Sequence, residues 1–174
     1  MPYHQLFRQE RENTCAVAAI RTVLGSQFGV QVSEAVLRFT ADSAAKPIVK
    51  NGTDSAQMRK MVQAANTAMN TGPRWVLRTS RRGTFAALVR ELNAGWMPML
   101  EVIRKDGDWL VPHCVVALEH ELEGIRYWDP ETGRRCWKER SELYREWVDV
   151  SVKTRAVRWF GVITSTSFRP KADR

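Results

Sequence analysis

Cysteine and histidine are scarce in this chain, with three of each in 174 residues. An odd number of cysteines without paired spacing does not describe a disulfide framework, and the absence of any CxxC deprives a structural zinc site of its usual ligand pairs. A reducing compartment fits that usage. Long apolar runs are also missing. The N-terminus, MPYHQLFRQERENT, has no apolar segment of the kind a secretory signal needs, and the longest later run is broken by His113. Neither a signal peptide nor a membrane-spanning helix is expected in these residues, and no membrane insertion is expected. No internal repeat, low-complexity stretch or linker interrupts the chain, which reads as one domain over residues 1–174.

Acidic residues are in deficit: 19 against 27 Lys and Arg, a formal charge of +8. The C-terminal third carries most of the excess, with eleven basic and five acidic residues from Arg134 onward, Arg134, Arg135, Lys138 and Arg140 among them. Such a balance suits an acidic partner but says nothing about fold. A nucleic-acid module would rest on this charge alone, because the chain shows neither a helix-turn-helix pattern, zinc ligands nor an aromatic RNP-like strand. No specific nucleic acid is expected as a partner.

Against these absences one stretch stands out, QERENTCAVAAIRTVLG from Gln9 to Gly25, where a polar segment switches into a helical apolar pattern. Ala16, Ala19, Ile20, Val23 and Leu24 recur at helical spacing, and Asn13 and Thr14 are good N-cap residues, so a buried helix is predicted to begin beside Cys15. A thiol there faces unpaired N–H groups and the positive end of the helix dipole, a field that favours the nucleophilic thiolate. Its partners lie in VPHCVVALEHELEGIRYWDP. Two strands joined by a short polar turn would bring His113, near the start of one, to the same end of the hairpin as Asp129, at the end of the next. Cys15 as nucleophile, His113 as base and Asp129 to orient the imidazole would meet if that end abuts the helix. Gln9, six residues before Cys15, could help the Cys15 N–H hold a developing oxyanion. Of the other histidines, His4 precedes the ordered pattern and His120, seven residues from His113, falls on the opposite face of an unbroken strand. Cys114 and Cys136 read as packing residues.

These residues and their spacing resemble the papain-like peptidases that process bacteriocin leader peptides. In that family the Gln, Cys, His and Asp are oxyanion-hole residue, nucleophile, base and orienting acid, which corresponds to Gln9, Cys15, His113 and Asp129. One departure is that the family usually has Gly directly after the Cys, where this chain has Ala16. The resemblance implies a papain-like α+β fold, a peptide or protein substrate with small residues such as paired glycines before the cut, and no cofactor. Trp96, Trp109 and Trp128 are candidates for lining its narrow cleft. The family's usual membrane exporter and ATP-binding domain have no counterpart in this sequence, which lacks a GxxxxGK[ST] loop. A small basic peptidase of this kind also looks like the toxic domain of a bacterial antagonism effector. The setting would then be the cytoplasm, or a target cell's cytoplasm reached through a secretion machine, with an acidic immunity or inhibitor protein as partner. These residues do not separate a peptidase from a related acyl-transfer enzyme (deamidase or transglutaminase), whereas the intact Cys15 and His113 argue against an inactive leader-binding relative.

The remaining pattern supports the α+β class. Ser33 and Thr53 are expected to cap two further helices, the second with a Met58, Met61, Val62, Ala65 stripe, and the segment from Ala41 to Gly52 reads as a loop. A strand at Trp75–Thr79 is followed by a helix capped by Thr84. Three antiparallel strands then run from Met97 to Asp129 with an Asp-Gly turn at Asp106-Gly107. Ser141 is expected to cap a short helix, Ala156–Ile163 to form the last strand, and the chain from Phe168 to fray.

Overall fold

The switch at Cys15 does start a helix, α1 (Cys15–Phe28), which ends at Gly29 in the left-handed conformation that a side chain would resist. The computed structural model describes residues 5–42, 47–48, 52–70, 75–148 and 157–166. The helix is apolar nearly all round: Ala16 to Ile20 and Thr22 to Gly25 are buried, as befits a helix enclosed within a fold rather than lying on its surface. Full burial of a side chain such as Ile20 or Leu24 contributes roughly 1.5–3 kcal/mol.

Two more helices pack beside it. In α2 (Glu34–Ala41) the Ser33 side chain accepts the Val36 N–H, as its position before an amphipathic run predicts. In α3 (Ser55–Ala68) the cap is Asp54, not Thr53; Asp54 and Gln57 satisfy each other's backbone N–H groups in a capping box, which Thr53 one residue earlier cannot form. The Met58, Met61, Val62, Ala65 stripe is buried. The remaining helices are α4 (Phe85–Asn93), capped by Thr84, and α5 (Arg140–Glu146).

Six strands form one antiparallel sheet: β1 (Trp75–Ser80), β2 (Met99–Asp106), β3 (Trp109–Glu121), β4 (Gly124–Asp129), β5 (Arg134–Glu139) and β6 (Phe160–Ser165), in spatial order β1-β6-β2-β3-β4-β5. One face packs against α1, α2 and α3 through Met99, Cys114, Val116 and Trp128. The other packs against α4 and α5 through Leu100, Val115, Ala117 and Ile125. Buried on both sides, β3 is apolar without interruption from Cys114 to Leu118, which is why its sequence shows no alternation.

Three expectations need correction. The strand β5 was not anticipated. Glu139, in extended conformation, precedes α5 without a side-chain cap, and Ser141 lies inside the helix with its hydroxyl on Glu139. The last strand begins at Phe160, later than expected; Ala156, part of the Ala41–Gly52 loop and the tail from Phe168 fall outside the described residues.

Candidate active site

The chain enters α1 through a tight turn. Asn13 adopts the left-handed region at φ 58°, which Asn tolerates better than most side chains, and Thr14 follows as N-cap. The Thr14 hydroxyl makes no cap bond. It donates instead to the Arg11 carbonyl at 2.7 Å and accepts the Arg11 N–H at 3.3 Å. The N–H groups of the first helical turn are thus left without a side-chain cap, the arrangement that attracts negative charge to a helix N-terminus. Cys15 is the first residue of that turn, half-buried, and its Sγ accepts the Cys114 N–H from β3 at 3.4 Å.

His113 and Asp129 meet as the hairpin of β3 and β4 implied. The buried His113 places Nε2 2.7 Å from Asp129 Oδ1. With Nε2 so engaged, Nδ1 is the nitrogen available to the thiol. Burial alone would lower the proton affinity of His113, but hydrogen bonds to Asp129 and Cys15, with the charges of both, outweigh it and raise the pKa to about 9. For Asp129 burial acts in the opposite direction from its partners: hydrogen bonding and charge from His113, then bonds from Thr132, hold the carboxyl below its ordinary value. The Glu131 N–H also donates to Asp129 Oδ1, at 2.9 Å.

Gln9 arrives from the N-terminal segment, which is fastened to the end of β4. The Gln9 N–H donates to the Pro130 carbonyl at 2.8 Å, Arg8 Nε to the Glu131 carbonyl at 3.0 Å, and Trp128 Nε1 to the Phe7 carbonyl at 2.9 Å. The Gln9 Oε1 is buried without a hydrogen-bond partner among the described residues. Gln9, Cys15, Ala16 and His113 line one cleft of about 930 Å³, and Asp129 stands behind His113.

The three tryptophans expected at the cleft lie elsewhere. Trp96 and Trp128 pack with the two sheet-face clusters, and Trp109 is exposed on the β2–β3 hairpin. Trp159, just before β6, lines the cleft instead, together with Met58 of α3. Sequence reasoning also missed Arg104 and Glu131 on the cleft wall, since no motif marks them. Gly52 to Ala56 reach the cleft too, so the end of the loop before α3 does border the site.

His120 does not lie on the face that alternation assigned to it. The β3–β4 register shifts between Ala117 and Glu119, so His120 pairs with Ile125 of the α4–α5 face and bonds Asn93 of α4 at 2.8 Å. It is remote from Cys15 by its position at the far end of β3. Cys114 packs in the core beneath α1, and its thiol is pushed well above its ordinary value by burial and then by Cys15 and Glu101.

No protein-family model matches the chain, and no curated protein matches it. Solved structures do. The chain is similar to the peptidase domain of Streptococcus ComA, a bifunctional ABC transporter involved in a quorum-sensing pathway. The TM-score is 0.67 at 15% identity, over 97% of this chain and 99% of that one. It is also similar to a double-glycine-motif protease from an AMS/PCAT transporter, solved in complex with the leader peptide. Here the TM-score is 0.58 at 14% identity, over 92% of this chain and 91% of that one. The α+β architecture of helices on an antiparallel sheet is thus the papain-like fold of the bacteriocin-processing peptidase domains.

Proposed function

We propose that this chain is a cysteine peptidase, working as one catalytic domain, that cleaves a peptide bond after small residues. The observation that carries the reading is His113, hydrogen-bonded to Asp129 and facing one cleft with a cysteine that opens a buried helix. Cys15 is the nucleophile. His113 takes its proton, the thiolate attacks the substrate carbonyl, and the carbonyl carbon becomes tetrahedral with its oxygen bearing the charge. The Cys15 N–H and the Gln9 carboxamide hold that oxyanion; the carboxamide turned about its terminal bond presents its NH₂ in place of the buried oxygen. The intermediate collapses as His113 protonates the departing amine, leaving a thioester. Water, giving its proton to His113, then releases the acid and the free thiol. Asp129 keeps the imidazole in the tautomer and orientation that both steps need.

A substrate with paired glycines is supported by the likeness to a protease for that motif solved with its leader peptide. That likeness favours leader processing over the effector setting. The effector setting, with an acidic immunity protein meeting the +8 chain, draws support from charge alone.

The test is incubation with a short peptide containing paired glycines and a glutamine, with and without an added primary amine, analysed by mass spectrometry, with wild type and Cys15→Ala side by side. Cleavage by wild type alone supports the reading. A product one mass unit heavier, or one joined to an added amine, would replace hydrolysis with deamidation or transglutamination. Cleavage by Cys15→Ala would remove Cys15 as nucleophile.

A further inference from the structure

The turn after β4 holds a second carboxylate beside the His113–Asp129 pair. Glu131 is ion-paired with Arg104 of β2, and both side chains are about one-third exposed on the cleft wall (32% and 38%). A ring nitrogen of His113 and a carboxylate oxygen each of Asp129 and Glu131 lie within 4.8 Å of one another. At that separation a carboxylate left to itself would act on the imidazole strongly, because the partly buried setting screens charge less than water does. The charged and titratable groups that bond His113 or share its cleft include Cys15 from α1, Asp129 and Glu131 from β4 and its turn, Glu101, Arg104 and Asp106 from β2 and Cys114 beside it, with Glu12, Asp54, Arg59 and Arg81 on the rest of the wall.

We propose that Arg104 and Glu131 form a positioning pair that sets the proton affinity of His113, the guanidinium cancelling a carboxylate that would otherwise over-stabilise the imidazolium. This rests on the reading of His113 as the catalytic base. In the acyl-enzyme, where Cys15 no longer raises it, too high an affinity leaves the base unable to accept a proton from the deacylating water; too low an affinity leaves too little imidazolium to protonate the amine. Asp129 and Cys15 alone then decide the charge state, and the ion pair beside them stays electrostatically neutral. Removing one partner should unbalance it in a direction set by the sign of the charge left behind.

The experiment is titration of the His113 imidazole by NMR, its resonance being the one absent from His113→Ala. A parallel measurement follows the rate of Cys15 alkylation against pH, for wild type, Arg104→Met, Glu131→Gln, the double variant and Arg104→Lys. Arg104→Met should raise the His113 midpoint by about half a unit to one unit, the reduction from the unscreened value reflecting partial exposure. Glu131→Gln should lower it by a similar amount. The double variant and Arg104→Lys should titrate close to wild type. Single variants that shift in the same direction, or neither of which moves the midpoint, would overturn the pairing. A wild type whose Cys15 is not alkylated selectively would defeat the peptidase reading instead, while the opposed imidazole shifts would still be there to observe.

Discussion

The backbone N–H of Gln9 is bonded to the carbonyl of Pro130, the residue after Asp129, at 2.8 Å. The segment proposed to stabilise the oxyanion is therefore anchored on the same turn that holds the acid behind His113. Arg8 on Glu131 and Trp128 on Phe7 fasten it on either side. Within the segment, Phe7 N–H is taken by the buried Thr22 hydroxyl and Glu10 N–H by the buried Glu34 carboxylate, so α1 and α2 hold its other edge.

Gln9→Ala should lower turnover by about 10² to 10³ with little change in KM, the usual consequence of losing one oxyanion donor. The main-chain bond to Pro130 survives the substitution, so the loop should keep its place. Steady-state kinetics on a paired-glycine peptide check this, and an unchanged kcat would take Gln9 out of the site.

The pH dependence follows from His113 and Asp129. The folded value of His113, about 9, lies above the ordinary 6.5, so its contribution to stability is complete below 6.5 and lost as pH rises through 9. Asp129, held below its ordinary value of 3.8, contributes above that value and ceases to as pH falls through the lowered one. Asp129→Ala removes the first of the groups that raise His113 and leaves burial opposing the charge. The alkaline midpoint of Cys15 alkylation should then fall by about one unit or more, which a pH–rate profile would record.

Gly25 sits within α1 where an added Cβ would come within 2.5 Å of Gln5 Oε1 and 2.9 Å of the Phe7 ring. Gly25→Ala gains about 1 kcal/mol of helix propensity, but the N-terminal segment must move to make room, a strain of about 1–3 kcal/mol. The net change in stability should be small or negative. Activity should fall more than stability does, because the displaced segment leads to Gln9. Denaturant titration set beside kcat separates the two, and a fully active variant would disconnect this segment from the site.

Trp147 gives the contrasting case. It is fully buried on the α4–α5 face, its Nε1 donates to the Trp159 carbonyl at 2.6 Å, and its ring lies against Gly83. Trp147→Ala should cost about 3–5 kcal/mol in chemical denaturation. The folded fraction should retain most of its Cys15 reactivity, since the ring lies on the sheet face away from α1.

Strong periodicity was readable: the α1 pattern, the Met stripe and the β2–β3–β4 meander all bury the residues that their spacing marks. The strand β5 was not, because Arg134–Glu139 forms a sheet edge whose side chains are exposed or half-exposed throughout, leaving little hydrophobic signal. Alternation misplaced His120 because a bulge consumes one residue, and single-sequence spacing has no mark for a bulge. The choice of Asp54 over Thr53 was legible after all, in the Gln three residues beyond Asp54. Of the site, Gln9, Cys15 and His113 stand on one cleft and Asp129 on His113. The cleft wall is built by Trp159, Arg104 and Glu131, from elements distant along the chain. The basic cluster likewise divides once side chains are placed: Lys138 pairs with Glu146, while Arg140 lies over the rings of Phe85 and Tyr144.

The fastening of the N-terminal segment to the turn after β4 also governs when a newly made chain acquires its site. The bond between Trp128 and Phe7 joins residues 121 positions apart, and the contact of the Cys15 sulfur with Cys114 spans 99. A ribosome delivers Cys15 long before the imidazole of His113 or the carboxylate of Asp129 is made. The thiol consequently spends most of synthesis without a base, and the geometry proposed for cutting peptides arises only after β3 and β4 have paired and the opening residues have closed down upon them. Chains that stop short of Asp129 would carry the proposed nucleophile yet lack the groups proposed to activate it.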